Sequence, residues 1–382
     1  MMNAIEWLST LVAFDTTSRL SNLTLIKHIE KYLKKQNIAT RLTFDVTGEK
    51  ANLFATIPAQ NGSLQGGIIL SGHTDVVPVD AQVWGTDPFT AVIKNDKIYG
   101  RGTSDMKGFI AIVLSLIPTF LKLKLDKPLH FAFSYDEEVG CHGARVLIDD
   151  IKKEGIKPAI CIVGEPTMCE PIVAHKGIQV FRCRVHGKAT HSSLTPEGCN
   201  AIHYAAKWIQ WLTEFADQLR SQDQDKHFDV PFTTLTTNLI SGGTANNIIP
   251  SFCEFFFEFR QLPQVDPKRI RQKIETYIQE ELLKEMRKTF KGAKVECAAL
   301  AFVPSFESKM DKKFVKMMGA KSIKKVSYAT EAGLFQEAGI PTIICGPGSI
   351  NEAHRPNEFI SLQQIENYER MLPEWVKAFQ FL

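Results

Sequence analysis

The 382-residue chain has no apolar run long enough to cross a bilayer. The longest, 109–121, contains Ser115, Pro118 and Thr119 and falls short of the ~18 residues that a spanning helix needs. Paired CxxC spacing is also absent. The eight cysteines, at 141, 161, 169, 183, 199, 253, 297 and 345, are scattered, which excludes a disulfide framework or a structural zinc ribbon. Reduced thiols, and with them a cytoplasmic location, are the expectation. The start, Met1 to Glu6, has no basic residue and no apolar core, so no secretory leader is expected. Charge of one sign is missing as well: 45 Lys+Arg against 42 Asp+Glu leave +3, too little for a nucleic-acid or anionic-membrane surface. There is no solenoid repeat and no low-complexity tract, and the charged stretch 221–225 reads as a solvated loop. What remains, 44% hydrophobic and 23% charged, is the composition of a globular enzyme-sized protein. At roughly 150 residues per domain the length suggests two domains.

Within the first 170 residues, short and nearly continuous apolar runs alternate with amphipathic helices. GIILS (67–71), LHFAFS (129–134) and AICIV (159–163) suit strands covered on both faces, and 107–120 reads as a helix between them. Asn22, followed by Leu25, Ile26, Ile29 and Leu33, reads as the start of another helix. Strands separated by helices predict a mainly parallel α/β sheet. From Gly177 the rhythm changes. A strand over 178–185, a helix over 200–219, strands over 233–240 and 252–259, a helix that starts at Asp266-Pro267 and carries Ile270, Ile274, Ile278 and Leu282, and a strand over 294–300 give the order βαββαβ. That order predicts an inserted ferredoxin-like domain. The expected boundaries are 1–176 and 304–382 for a discontinuous catalytic domain and 177–303 for the insert.

The chemistry-bearing residues fall just beyond expected strand ends or just before a helix. SGHTD (71–75) places His73 and Asp75 on one side of an extended chain, so that Asp75 could hold one imidazole nitrogen while the other faces a metal. A polar loop with an incidental histidine is the alternative. YGRGTSDMKG (99–108) sets Asp105 in a Gly-rich loop before a helix, where it is either a helix cap or a metal-bridging carboxylate; the spacing matches no phosphate loop. Asp136, Glu137 and Glu138 are three adjacent acids after the 129–134 strand, which repel one another unless a cation or a proton offsets them. A surface acidic patch is the competing reading. GEPT (164–167) and AHRPNE (353–358) add Glu165 and His354. His73, Asp105, Glu138, Glu165 and His354 form a mixed nitrogen and oxygen set suited to zinc, cobalt or manganese, and with one carboxylate shared they divide evenly over two ions.

With these motifs, and with HKGIQVFRCRVHGKATHSS (175–193), SGGTANNIIP (241–250) and TEAGLFQEAGIPTIICGPGSI (330–350), the chain resembles the dizinc amidohydrolase/peptidase family of desuccinylases, aminoacylases and carboxypeptidases. The resemblance runs from about Ala51 to the C-terminus, and the stretch from 330 onward points to the branch that acts on N²-acetylornithine. It departs from the family pattern in the residues after His354, where a Lys and an Asp are usual, and at Thr190, where Ala is usual. The resemblance implies two Zn2+ ions, with Co2+ able to substitute. Asp105 would bridge them, His73 and Glu165 would complete one site, and Glu138 and His354 the other. It implies further that Glu137 is the general base, that Asp75 holds His73, and that His191, supplied by the partner subunit of a homodimer, stabilises the oxyanion. Arg260, Asn246 and Asn247 resemble the residues that grip the substrate carboxylate and line the cleft. For the δ-ammonium of ornithine we expect Glu331, whose alternative is a helix first-turn acid. The implied reaction is hydrolysis of a small-molecule acyl amino acid, with no nucleic acid or membrane as partner. Desuccinylation, dipeptide cleavage and, outside enzymes, binding of an amino-acid derivative without turnover are the alternatives.

Overall fold

The computed structural model describes residues 2–320 and 322–380. Two helices open the chain, α1 (Ala4–Val12) and α2 (Leu23–Lys35). Asn3 and Glu6 cap α1 reciprocally, each side chain accepting the other's backbone N–H at 2.9 Å. Asn22 precedes α2 but caps nothing. Its side chain instead joins Ala51 to Thr74. Strands β1 (Ala39–Phe44), β2 (Ala51–Ile57) and β3 (Ile68–His73) follow, then α3 (Lys107–Phe120), β4 (Leu129–Ser134), α4 (His142–Lys153) and β5 (Ile160–Val163). Every residue of β3, β4 and β5 is buried, which explains their mainly apolar sequences. The apolar stretch beginning at Phe109 is a core helix. Among the described residues no helix is long and apolar enough to cross a membrane.

The chain folds as two compact units. One comprises the residues up to Ala174, Glu307–Lys324 and those from Thr330 onward; the other is His175–Phe306 with Lys325–Ala329. In the second unit lie β6 (Ile178–His186), α5 (Ala201–Ser221), β7 (Thr234–Gly242), β8 (Phe252–Arg260), α6 (Pro267–Tyr277) and β9 (Lys294–Val303). Beyond α6 the chain passes through a π turn, Ile278–Leu282, into a further helical segment, Leu283–Thr289. The sheet order is β7-β8-β6-β9, with every pair antiparallel, the arrangement of a ferredoxin-like unit. Alternate residues of β6 and β8, among them Phe181, Cys183, Phe255 and Phe257, pack in one core with Trp208, Leu212 and Phe215 of α5 and Ile270 and Ile274 of α6. The strict alternation along β6 and β8 is what this one-sided burial requires.

The first unit resumes with β10 (Thr342–Ile344) and ends on α7 (Leu362–Phe379). Its central sheet has the order β1-β2-β4-β3-β5-β10. The β4-β3-β5-β10 portion is parallel, and β1 and β2 are added antiparallel at one edge. The parallel portion matters for function, because the C-terminal ends of β3, β4 and β5 come to one edge of the sheet. Phe109, from the first turn of α3, packs beneath that edge. A Cβ on Gly164, the residue after β5, would fall 2.1 Å from the Phe109 ring, so only glycine fits between the strand end and the helix.

Candidate metal centre

At the C-terminal edge of the parallel strands, six acidic or imidazole side chains converge. His73 is the last residue of β3, Asp105 lies two residues before α3, Glu137 and Glu138 follow β4, Glu165 follows β5, and His354 comes from the loop after β10. His73 Nε2 is 3.0 Å from Asp105 Oδ1 and 3.9 Å from Glu165 Oε1. His354 Nε2 is 3.3 Å from Asp105 Oδ2 and 3.0 Å from Glu138 Oε2. The two oxygens of Asp105 therefore face different imidazoles. Ligand atoms of His73, Glu137 and Glu165, and likewise those of His73, Asp105 and Glu138, lie within 4.8 Å of one another. His73, Asp105 and Glu165 are buried, whereas the His354 side chain is 53% exposed and marks the open side of the cluster.

Electrostatics tests whether this set fits a cation. Glu137, Glu138 and Glu165 are all pushed above the ordinary carboxyl range, first by burial and then by one another and Asp105; for Glu137 the value reaches about 8. Burial alone would raise Asp105 too, but the hydrogen bonds from His354 and His73 hold it below its ordinary value. His73 is buried, which disfavours its cation, yet Asp105, Glu165 and Glu137 raise it well above the ordinary imidazole range. His354 rises to about 10 through its hydrogen bonds to Asp105 and Glu138. Such a cluster must take up protons to exist without a metal, and divalent ions would replace them. Two imidazoles with carboxylates suit a borderline divalent ion. The donor set fits.

The ligand-bearing loops are themselves held. His73 Nδ1 donates to the backbone carbonyl of Asp75 at 2.9 Å, which leaves Nε2 to face the carboxylates. The Asp75 carboxylate, expected to hold this imidazole, stands 3.6 Å from Nδ1, an ion-pair distance and not a hydrogen bond. Its oxygens accept instead from the Ser18 hydroxyl at 2.7 Å and from the N–H groups of Glu137 and Glu138 at 3.0 and 3.3 Å. Asp75 thus orients the acidic loop. Within that loop, Asp136 turns to Lys50 at 2.6 Å, which removes one of the three adjacent negative charges from the cluster. The Cys141 thiol donates to Glu137 Oε1 at 3.2 Å.

Glu331 requires a correction. Its carboxylate is fully buried, accepting from the hydroxyls of Ser71 on β3 at 2.6 Å and Ser134 on β4 at 2.8 Å. An acid enclosed beneath two strand ends cannot meet a substrate ammonium, so Glu331 is withdrawn from that role. Sequence reasoning passed over Glu358, which is 1% exposed and holds the Asp105 loop through its backbone N–H groups. The signal was an acid inside the AHRPNE motif.

The other expected residues belong to the second unit. His191 lies in a short strand, Thr190–His191, paired with Ile248–Ile249. Its Nδ1 meets the Ser193 hydroxyl at 2.8 Å and accepts the Ser193 N–H at 3.3 Å, which leaves the ring proton on Nε2, on an exposed side chain. Asn246 and Asn247 are exposed in the turn after β7, and the Asn247 carbonyl accepts the Ser192 N–H. Arg260 closes β8, its Nε donating to Glu258 at 2.8 Å.

Comparison with known proteins fits this geometry. Residues 69–378 match the model of peptidase family M20/M25/M40. The chain is 34% identical to an acetylornithine deacetylase of Pasteurella multocida (strain Pm70), over 98% of this chain and 97% of that protein. With an acetylornithine deacetylase of Proteus mirabilis (strain HI4320) the identity is also 34%, over 96% and 92% of the two chains. Among solved structures, an M20 family metallo-carboxypeptidase of Sulfolobus solfataricus superposes with a TM-score of 0.78 at 21% identity, over the whole of both chains. A tripeptidase of Staphylococcus aureus gives 0.77 at 18%, over 100% of this chain and 98% of that one, a likeness of fold alone. A cluster built to exchange protons for divalent ions at the end of a parallel sheet, in a chain matched along most of its length, places this protein in peptidase family M20/M25/M40 as a metal-dependent hydrolase.

Proposed function

We propose that the protein hydrolyses N²-acetyl-L-ornithine to L-ornithine and acetate, the step that releases ornithine for arginine biosynthesis. The observation that carries the hydrolytic part is Asp105, whose two oxygens face His73 and His354 separately. Full-length similarity to acetylornithine deacetylases supports the choice of substrate. In this reading His73, Asp105 and Glu165 hold one Zn2+, and Asp105, Glu138 and His354 hold the other, with Co2+ able to substitute. When bound, the ions polarise the scissile carbonyl and lower the pKa of a water molecule.

Glu137 takes the proton of the attacking water on a carboxylate oxygen and delivers it to the leaving nitrogen. The Cys141 thiol and the Asp75 carboxylate fix its orientation, through Oε1 and the backbone N–H respectively. His191, from the partner subunit of a homodimer, donates a hydrogen bond from Nε2–H to the oxyanion and so stabilises it. Arg260 grips the α-carboxylate, and Asn246 and Asn247 line the cleft. The second unit would serve as the dimerisation domain. A cytoplasmic setting accords with eight cysteines in thiol form.

Turnover of acetylornithine, succinyl-diaminopimelate and a dipeptide, measured side by side with added zinc or cobalt, tests this reading. Acetylornithine should have the highest kcat/KM. Faster cleavage of either other compound would reassign the substrate, and no turnover of any would remove the hydrolytic function.

A further inference from the structure

Two segments that carry proposed metal ligands, the Asp105 loop and the His354 loop, are tied together by a closed circuit of hydrogen bonds that the reaction does not use. Glu358, four residues after His354, sits at its centre. Its Oε1 accepts the N–H groups of Ser104 at 2.8 Å and Asp105 at 3.0 Å. Its Oε2 accepts the N–H of Gly102 at 3.1 Å and Nη1 of Arg101 at 2.7 Å. The carboxylate has about four acceptor positions, and all are filled. Both Arg101 and Glu358 are 1% exposed.

The guanidinium then reaches the other loop. Arg101 Nη2 donates to Gln82 Oε1 at 2.6 Å, and Gln82 Nε2 donates to the backbone carbonyl of His354 at 2.9 Å. Trp84 Nε1 also donates to Gln82 Oε1, which fixes the amide. His354 has φ of 63°, the left-handed region that a non-glycine residue holds only where its surroundings demand it. The circuit closes where His354 Nε2 faces Asp105 Oδ2 at 3.3 Å.

A buried ion pair is weak evidence of stability, since apolar residues of the same volume often serve a fold as well. What apolar residues could not supply is an acceptor for three N–H groups of one loop and a donor network reaching the carbonyl of another. We propose that Gln82, Arg101 and Glu358 are positioning residues that set the separation of Asp105 and His354, and thereby the affinity of the metal position those two ligands share. The proposal rests on the two-ion reading above.

The test is titration of the ion-free chain with Zn2+ against a chromogenic chelator, in wild type, Glu358→Gln and Gln82→Ala. The Co2+ absorption spectrum and the unfolding midpoint of the ion-free proteins are recorded alongside. Glu358→Gln turns an amide N–H₂ toward part of the donor set and should weaken Zn2+ binding by about 10–100-fold, as loss of groups that orient metal ligands generally does. Gln82 is only partly buried, so Gln82→Ala should keep the wild-type unfolding midpoint, weaken one equivalent of Zn2+ by about tenfold or more, and alter the Co2+ spectrum. If wild type binds two equivalents and Gln82→Ala binds them equally well with an unchanged spectrum, the positioning role is wrong even if Glu358→Gln fails to fold. If wild type itself binds fewer than two, the two-ion reading fails first and takes this inference with it.

Discussion

Loading the ion-free protein with zinc should release protons in a countable number. In the ion-free chain, His354 titrates at about 10 because Asp105 and Glu138 hydrogen-bond its ring, and His73 titrates well above the ordinary 6.5. His354 is therefore imidazolium at pH 7, and the carboxylates around His73 favour its protonated form as well. A metal takes the lone pair of Nε2, so a protonated imidazole must give up one proton on binding. Glu137, at about 8, is roughly nine-tenths protonated at pH 7 and adds up to one more as the ions pull its pKa down. His354 and Glu137 alone supply about two protons per pair of ions, and His73, Glu138 and Glu165, all raised as well, add to that number. Calorimetric titration with Zn2+ at pH 7 in buffers of different ionisation enthalpy gives this number as a slope. Mass action then requires the overall two-ion binding constant to fall by about 100-fold or more for each unit of pH lost. The sign for stability follows from the same shifts. Glu137 lies above its unfolded value of 4.5, so the ion-free folded chain binds the extra proton between about 4.5 and 8 and loses stability as pH rises through that window. The gap in melting temperature between loaded and ion-free protein should widen from pH 5 to pH 8. Heats independent of the buffer would mean that no imidazole proton is displaced, and would remove both histidines from the ligand set.

Glu137→Ala should retain zinc, measured by metal analysis after dialysis, while kcat drops by about 10²–10⁴; a near-normal rate would reassign the base. Mixing His191→Ala with Glu137→Ala protein should restore part of the activity, since one hybrid site combines an intact base with an intact partner histidine; demonstrated subunit exchange without recovery would refute action across the dimer. Gly164→Ala should destabilise the fold by about 1–3 kcal/mol in urea unfolding, because its methyl meets the Phe109 ring at 2.1 Å; an unchanged midpoint would show that the ring can move aside.

Local pattern carries most of the first unit's legibility. The runs that became β3, β4 and β5 are mainly apolar because both faces are covered, and a strand end is a local property, so His73, Glu137, Glu138 and Glu165 could be placed at or just beyond those ends from sequence. The βαββαβ order of the second unit was legible for a related reason: one-sided burial writes an alternation of period two into β6 and β8. Partners far apart in the chain left no such trace. Glu331 sits beside Leu334 and Phe335 as any first-turn acid would, and only the packing of its segment under Ser71 and Ser134, 260 and 197 residues away, shows that it is enclosed. The pairing of the Asp75 carboxylate with His73 could be read from spacing alone, but its hydrogen bonds from the N–H groups of Glu137 and Glu138, brought over by the parallel pairing of β3 with β4, could not. Glu358 lay in a recognised motif without a role, because a side chain that gathers the N–H groups of a distant loop is defined by where that loop folds. Hydrophobic periodicity is set by the nearest neighbours in sequence, so the sequence alone determined the elements and the types of residue at their ends. The direction in which each charge turns depends on donors from remote segments, and the tertiary structure decided it.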